Sequence, residues 1–297
     1  MYHKAVMLDA AINGLSVKPA GTYVDATFGG GGHSRAILDK LDDGRLIAFD
    51  QDEDAIRNLP DDPRLVFLNH NFRFLKNFLK WHESIPVDGI LADLGISSHQ
   101  IDKSERGFST RFDGPLDMRM NRKSDKSAAN VVNNYTTDEL ANVLYLYGEL
   151  KNAKKIANAI EKRRSAQAIE TTGQLVELLT PLAARGREMK FMAQVFQALR
   201  IEVNGELDAL KALLEQSVEV LKPGGRLVII SYHSLEDRLV KNFLRSGNFE
   251  GKIEKDFFGN VSGPFKLVSK LQKASDEEIK QNKRARSARL RIAEKNQ

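Results

Sequence analysis

Between Thr22 and Asp93 short apolar runs alternate with amphipathic or turn-rich stretches, and few folds accommodate that rhythm. Thr22–Ala26 reads as a strand, as do Arg45–Asp50, Arg64–Leu68 and Val87–Asp93. Between them, Ser34–Leu41 has helical spacing (Ala36, Ile37, Leu41), Glu53–Leu59 predicts a short helix and Phe72–Trp81 an amphipathic one. Strands joined through helices run parallel, so the spacing predicts a doubly wound α/β sheet.

The rhythm breaks after the fourth strand. Residues 102–135 are polar and rich in Arg and Asp, and helices are expected over 138–147, 150–164, 172–184 and 191–203, with no strand among them. Alternation resumes with a helix over 207–221, the turn Lys222-Pro223-Gly224-Gly225 and a strand at Arg226–Ser231. The expected organisation is a Rossmann-like sheet from 1–104 and 206–297, with an all-helical domain, 105–205, inserted between strands four and five.

The strand-to-helix turn after Asp25 is Phe28-Gly29-Gly30-Gly31-Gly32. Glycines there let the backbone turn tightly and approach a ligand closely. Asp25, Gly29 and Gly31 make Asp-x-x-x-Gly-x-Gly, which is closer to the first motif of Rossmann-like methyltransferases than to the dinucleotide fingerprint, whose third glycine would fall at Ser34. Asp50 ends strand two about 20 residues on, where a carboxylate can accept both ribose hydroxyls of an adenosine. Phe72 opens the segment after strand three, beside the expected place of an adenine. Asp93 ends strand four and would face the cofactor's reactive end, since ligands of open α/β sheets sit at the carboxyl ends of strands. His233, after strand five, is a candidate catalytic or substrate-contacting group.

Composition removes several chemistries. The 297 residues contain no Cys, so disulfides, Cys-ligated zinc and Cys nucleophiles are impossible. Methylation at pyrimidine C5 through a thiolate adduct is disfavoured with them, leaving a base nitrogen or ribose oxygen as the expected acceptor; no metal is expected. No apolar run approaches the roughly 20 residues of a membrane helix, and Met1-Tyr2-His3-Lys4 opens no secretory signal, so a cytoplasmic location is expected. Net charge is +5 but uneven: residues 1–100 hold 10 Lys/Arg against 14 Asp/Glu, the remainder 35 against 26. A polyanion would meet that remainder, above all residues 151–205 and the tail Lys283–Arg291, whose five basic residues have no acid among them.

Seven motifs occur in order: Phe28-Gly29-Gly30-Gly31-Gly32-His33-Ser34, Asp93-Leu94-Gly95-Ile96-Ser97-Ser98, Glu105-Arg106-Gly107-Phe108-Ser109, Leu116-Asp117-Met118-Arg119-Met120, Val195-Phe196-Gln197-Ala198-Leu199-Arg200-Ile201, His233-Ser234-Leu235-Glu236-Asp237-Arg238 and Arg284-Ala285-Arg286-Ser287-Ala288-Arg289-Leu290-Arg291. Together they resemble the ribosomal RNA small subunit methyltransferase H (MraW) family nearly end to end. The resemblance implies N4-methylation of a cytidine in the decoding centre of 16S rRNA, within the small ribosomal subunit, with S-adenosyl-L-methionine as donor. It places cofactor contacts on Gly31, Gly32, His33, Asp50, Phe72, Asp93 and Gln100. The family usually has Pro where this chain has His99, and many members carry His-Pro shortly before the Phe-Gln-Ala-Leu-Arg motif, where it reads Glu188-Met189-Lys190-Phe191. Asp93 and His233 are the catalytic candidates. Two other readings stand beside this one: an NAD-linked oxidoreductase, and an RNA-binding assembly factor on a methyltransferase fold. A homodimer is compatible with the sequence, which does not fix oligomeric state.

Overall fold

A computed structural model describes residues 5–253 and 263–297; Met1–Lys4, where no secretory signal was read, lie outside the described residues. In chain order the elements are α1 (Leu8–Leu15), β1 (Thr22–Asp25), α2 (Gly32–Leu38), β2 (Arg45–Phe49), β3 (Leu65–Leu68), α3 (Leu75–Trp81), β4 (Val87–Asp93), α4 (Ser98–Asp102), α5 (Ala128–Asn134), α6 (Thr137–Gly148), α7 (Ala153–Arg164), α8 (Thr172–Leu179) and α9 (Glu188–Asn204). Then follow α10 (Glu206–Val220), β5 (Leu221–Ser231), α11 (Ser234–Ser246), β6 (Phe265–Leu267), β7 (Gln272–Lys273), α12 (Asp276–Gln281) and β8 (Arg289–Lys295). Two compact units result, Met1–Gly95 with Leu207–Gln297, and Ile96–Glu206.

The first unit is an α/β sheet of order β3-β2-β1-β4-β5-β8-β6, with β7 pairing β8. Strands β1 to β5 pair in parallel, while β8 runs antiparallel to β5 and β6. Both strand faces are apolar, as a sheet covered on two sides requires. Val24, Ile47, Ile90, Leu227 and Ile229 share one core with α3, α10 and α11 residues such as Leu79, Leu213 and Phe243. Tyr23, Leu46, Leu91, Val228 and Ile230 meet α1 and α2 through Leu15 and Ile37 on the other. The turn at Lys222–Gly225 sits inside β5, as an irregularity between the pairs Val87↔Leu221 and Gly89↔Arg226.

Some local expectations change. Glu53–Asn58 is a 3-10 helix, stopped before Pro60, which disfavours helical backbone in the residue ahead of it. The basic tail, read only as a segment to meet a polyanion, is built into the sheet: Arg289–Lys295 is an inner strand, with Leu290 and Ile292 buried. Arg289 and Arg291 both reach Asp237 on α11, each at 2.8 Å.

The second unit is helical and has its own core, which draws Leu140, Ile156, Leu175 and Val195 from α6 to α9. Its polar opening segment is also core: Phe108, Leu116, Met118 and Met120 are buried in it. Arg106 is 2% exposed and spends its guanidinium on the carbonyls of Arg119 and Met120. The first seam therefore falls at Gly95–Ile96 rather than at 104–105. A capping box of Ser97 and Gln100 starts α4 there, and α4 packs against the 3-10 turn Ser104–Arg106 of the same unit.

Candidate active site

Strand order reverses direction between β1 and β4, because the chain winds outward through β2 and β3 and then returns to the other side of β1. At such a switch point the adjacent crossovers leave a crevice at the carboxyl edge. The glycine turn follows β1 and Asp93 ends β4, so both border that crevice.

Hydrogen bonds hold the glycine turn from several sides. Gly29 N–H donates to Asp50 Oδ2 at 2.7 Å, Asn58 Nδ2 donates to Gly29 O at 2.9 Å and Arg35 Nη1 donates to Gly30 O at 2.8 Å. Gly31 caps α2 with φ +74°, and a Cβ there would lie 2.9 Å from both the Phe28 ring and Arg35 Nη1. At Gly32 a Cβ would come within 2.8 Å of Ala5 Cβ. Close packing thus excludes larger residues from both positions.

Asp50 follows β2. Its Oδ1 accepts Asp52 N–H at 2.8 Å, so each oxygen takes one backbone amide and keeps lone-pair capacity. Burial pushes its carboxyl up to about 7 against the pull of those two amides. Asn69 Nδ2 donates to Asp50 O, and Asn71, beside the half-buried Phe72, donates to Gln51 Oε1. The ends of β2 and β3 are thereby tied together around Asp50.

Asp93 is fixed by three neighbours. Its N–H donates to Thr27 Oγ1 at 2.7 Å, its Oδ1 accepts from Tyr232 Oη at 2.7 Å, and its Oδ2 lies 3.9 Å from His33 Nδ1. Burial pushes its carboxyl up to about 6, opposed by His33 and by the Tyr232 hydrogen bond. His33 is buried, with Nε2 3.1 Å from Val6 O. Beneath them Asp25 is fully buried, accepting from Ser34 Oγ at 2.6 Å and Thr27 N–H at 3.0 Å. Ser34, where a dinucleotide fold would place its third glycine, is occupied with that bond.

Six of the predicted contacts, Gly31, Gly32, His33, Asp50, Phe72 and Asp93, lie at or just beyond the carboxyl ends of β1 to β4. Gln100 belongs to the second unit, where its Oε1 accepts Ser97 N–H in the α4 capping box. His233 is the N-cap of α11: Nδ1 accepts Glu236 N–H, while Glu236 Oε2 accepts the amides of Tyr232 and His233. That cap employs one ring nitrogen of the second catalytic candidate. Tyr232 and Thr27 went unassigned in the sequence reading, and Asp25 was read only as the opening of the glycine motif. Tyr232 had a usable signal, since it is the first residue beyond strand five and obeys the same carboxyl-edge rule as Asp93.

The donor set fits an adenosine bearing a charged amino-acid tail. Asp50 can accept vicinal hydroxyls, Asp93 can take a cationic or N–H group, and the glycine turn has no room for side chains of its own. A parallel sheet closed by an antiparallel strand, with this turn and these acids at its switch point, defines a Rossmann-like methyltransferase. The chain belongs to the MraW methylase family, whose profile matches residues 1–296. Its cofactor is S-adenosyl-L-methionine.

It is 58% identical over 296 residues to Ribosomal RNA small subunit methyltransferase H of Bacteroides thetaiotaomicron, covering 99% of this chain and 97% of the relative. It is 57% identical over 297 residues to the protein of the same name from Cytophaga hutchinsonii, covering 99% and 100%. Among solved structures, an rRNA methylase from Streptococcus thermophilus aligns over the whole of both chains at 12% identity with TM-score 0.44. TrmN from Thermus thermophilus aligns at 12% identity with TM-score 0.45, covering 97% of this chain and 48% of TrmN. Likeness at that level adds nothing to the topology above.

Proposed function

We propose that this protein methylates N4 of a cytidine in the decoding centre of 16S rRNA, within the small ribosomal subunit in the cytoplasm. The observation that carries the reading is the state of Asp93. One carboxylate oxygen is held by Tyr232 and the other accepts no hydrogen bond among the described residues, at the switch-point crevice.

S-adenosylmethionine supplies a methyl already activated as a sulfonium. What the chain must add is orientation of the acceptor and relief of the charge that develops on it. Cytosine N4 is a weak nucleophile because its lone pair is conjugated into the ring. Asp93 Oδ2 accepts an N–H of that amine, favouring pyramidal nitrogen and offsetting positive charge as it builds. His233 is less well placed for a second contact to the base, since Nδ1 caps α11 and Nε2 lies buried 3.2 Å from Glu236 Oε1. The absence of Cys agrees with an acceptor nitrogen rather than ring carbon. The names of the relatives support small-subunit RNA as the substrate, and the second unit serves as its recognition domain.

The test is methyl transfer onto small subunits isolated without this modification, followed by nucleoside mass spectrometry. One N4-methylated cytidine per subunit is expected. Methyl on a ring carbon or a ribose, or none at all, would refute the reading.

A further inference from the structure

The second unit contains a pocket of about 500 Å³ where three chain junctions meet. Lys151 and Asn152 reach it from the α6–α7 turn, Arg187 and Lys190 from the start of α9, and Phe191 and Gln194 line it from the next turn. Gln194 is pinned by donating to Gly148 O at 2.9 Å, and Phe191 is buried, so part of the lining is rigid.

Its charge is one-sided. Lys151, Arg187 and Lys190 are exposed, none takes part in an ion pair among the described residues, and no carboxylate lines the pocket. Glu188, next to Arg187, turns Oε1 back onto Gly186 N–H at 2.9 Å. Several other basic side chains of the unit are neutralised locally, as in Arg119 with Asp117, Lys126 with Glu202 and Arg200 with Glu206. Three like charges gathered around one concavity repel each other, and an anion relieves that repulsion. The electrostatics of the backbone add to it. Helices α7 and α9 both begin here without a side-chain cap, whereas α5, α6 and α8 each carry a capping box.

We propose that this pocket seats consecutive backbone phosphates of the substrate RNA, with Lys151, Arg187 and Lys190 as their cationic partners. The inference rests on the reading of RNA as substrate. Phosphate contacts of this kind position a strand without reading its bases. They let the second unit hold RNA of any local sequence while the first unit selects the nucleotide.

The test compares the full-length protein with its triple variant Lys151→Gln/Arg187→Gln/Lys190→Gln. The probe is a fluorescein-labelled single-stranded RNA 20-mer from the decoding region, titrated across a salt series. Three phosphate contacts at about 0.7 each predict a salt slope shallower by about 2, with affinity at 0.1 M salt down by about tenfold or more. S-adenosylmethionine affinity should stay unchanged, and Lys151→Arg/Lys190→Arg should bind RNA like the wild type. A second triple variant, Lys241→Gln/Lys266→Gln/Lys280→Gln, removes three exposed charges from the first unit. An equal loss in that control, or an unchanged slope in the pocket variant, overturns the proposal. Inorganic phosphate at millimolar concentration that displaces the dye-labelled RNA no better than matched chloride agrees with a strand-tracking site. Displacement well beyond chloride marks a free-phosphate site instead and overturns it. Should the wild type fail to methylate small subunits while the pocket variant still loses RNA, the methyltransferase reading fails and this one stands.

Discussion

Tyr232 donates its hydroxyl to Asp93 Oδ1 at 2.7 Å across the carboxyl ends of the neighbouring strands β4 and β5. The bond holds one oxygen and leaves the other 3.9 Å from His33 Nδ1. It also opposes the burial that pushes the Asp93 carboxyl up to about 6. Tyr232 lies against the loop at Gly95, where an added Cβ would sit 3.5 Å from its ring. The aromatic ring therefore fills space independently of its hydroxyl.

Removing only that hydroxyl separates the two roles. In Tyr232→Phe the carboxylate loses a favourable hydrogen bond, so its pKa rises above about 6. The proposed chemistry requires an ionised Asp93, so the wild-type acid limb of kcat/KM should fall near pH 6 and that of the variant at higher pH. At pH 8.5 the two should differ little. A pH profile with superimposable acid limbs would remove Tyr232 from the account.

Asp50 should govern the donor rather than the RNA. Its carboxylate sits where two hydroxyls can be accepted in charge-assisted bonds worth about 1.5–3 kcal/mol each. Replacing it by Ala should weaken S-adenosylmethionine binding by roughly a hundredfold or more in titration calorimetry, with RNA affinity unaltered. Because burial raises its carboxyl to about 7, wild-type donor affinity should decline as pH falls from 8 to 6. Flat affinity across that range would count against the assignment.

The tail arginines predict a stability effect. Burial alone would raise the Asp237 carboxyl, but hydrogen bonds from Arg291 and Arg289 outweigh it and hold it below the usual range. A depressed folded value means the pair stabilises the protein above the unfolded pKa near 4, and that this is lost as pH falls through the lower folded value. Asp237→Ala strands Arg291, whose side chain is only 12% exposed. It should cost about 3 kcal/mol at pH 7, with a smaller gap at pH 3. Denaturant unfolding at the two pH values checks it, and an equal gap at both would show that charge is not the cause.

Much of the site was legible because it obeys a positional rule. Asp50 and Asp93 end apolar runs whose alternation locates the sheet, and ligands gather at that edge. Tyr232 was hidden because an aromatic beside an apolar strand is hard to tell from core. Arg106 lay in a stretch read only as polar and rich in Arg and Asp, yet it is a buried clasp on two carbonyls. In the tail, Arg289, Leu290, Arg291 and Ile292 alternate with period two, a strand signature, but the run of basic residues drew the reading toward an RNA contact rather than a strand. Gln100 matched a motif, and its side chain turns out to close a helix cap. Spacing along the chain carries no information about which partner a side chain finds.

The proposed chemistry depends most on what Asp93 does during transfer. Single-turnover methylation of small subunits by Asp93→Asn, at saturating S-adenosylmethionine, measures that step directly. The Asn side chain keeps an acceptor for Tyr232, removes the charge and turns the second oxygen into an N–H donor. A rate lower by about a hundredfold or more with the donor fully bound, a larger loss than any in donor affinity, is the predicted result. An unchanged rate with weakened donor affinity would contradict it and make Asp93 a binding residue alone.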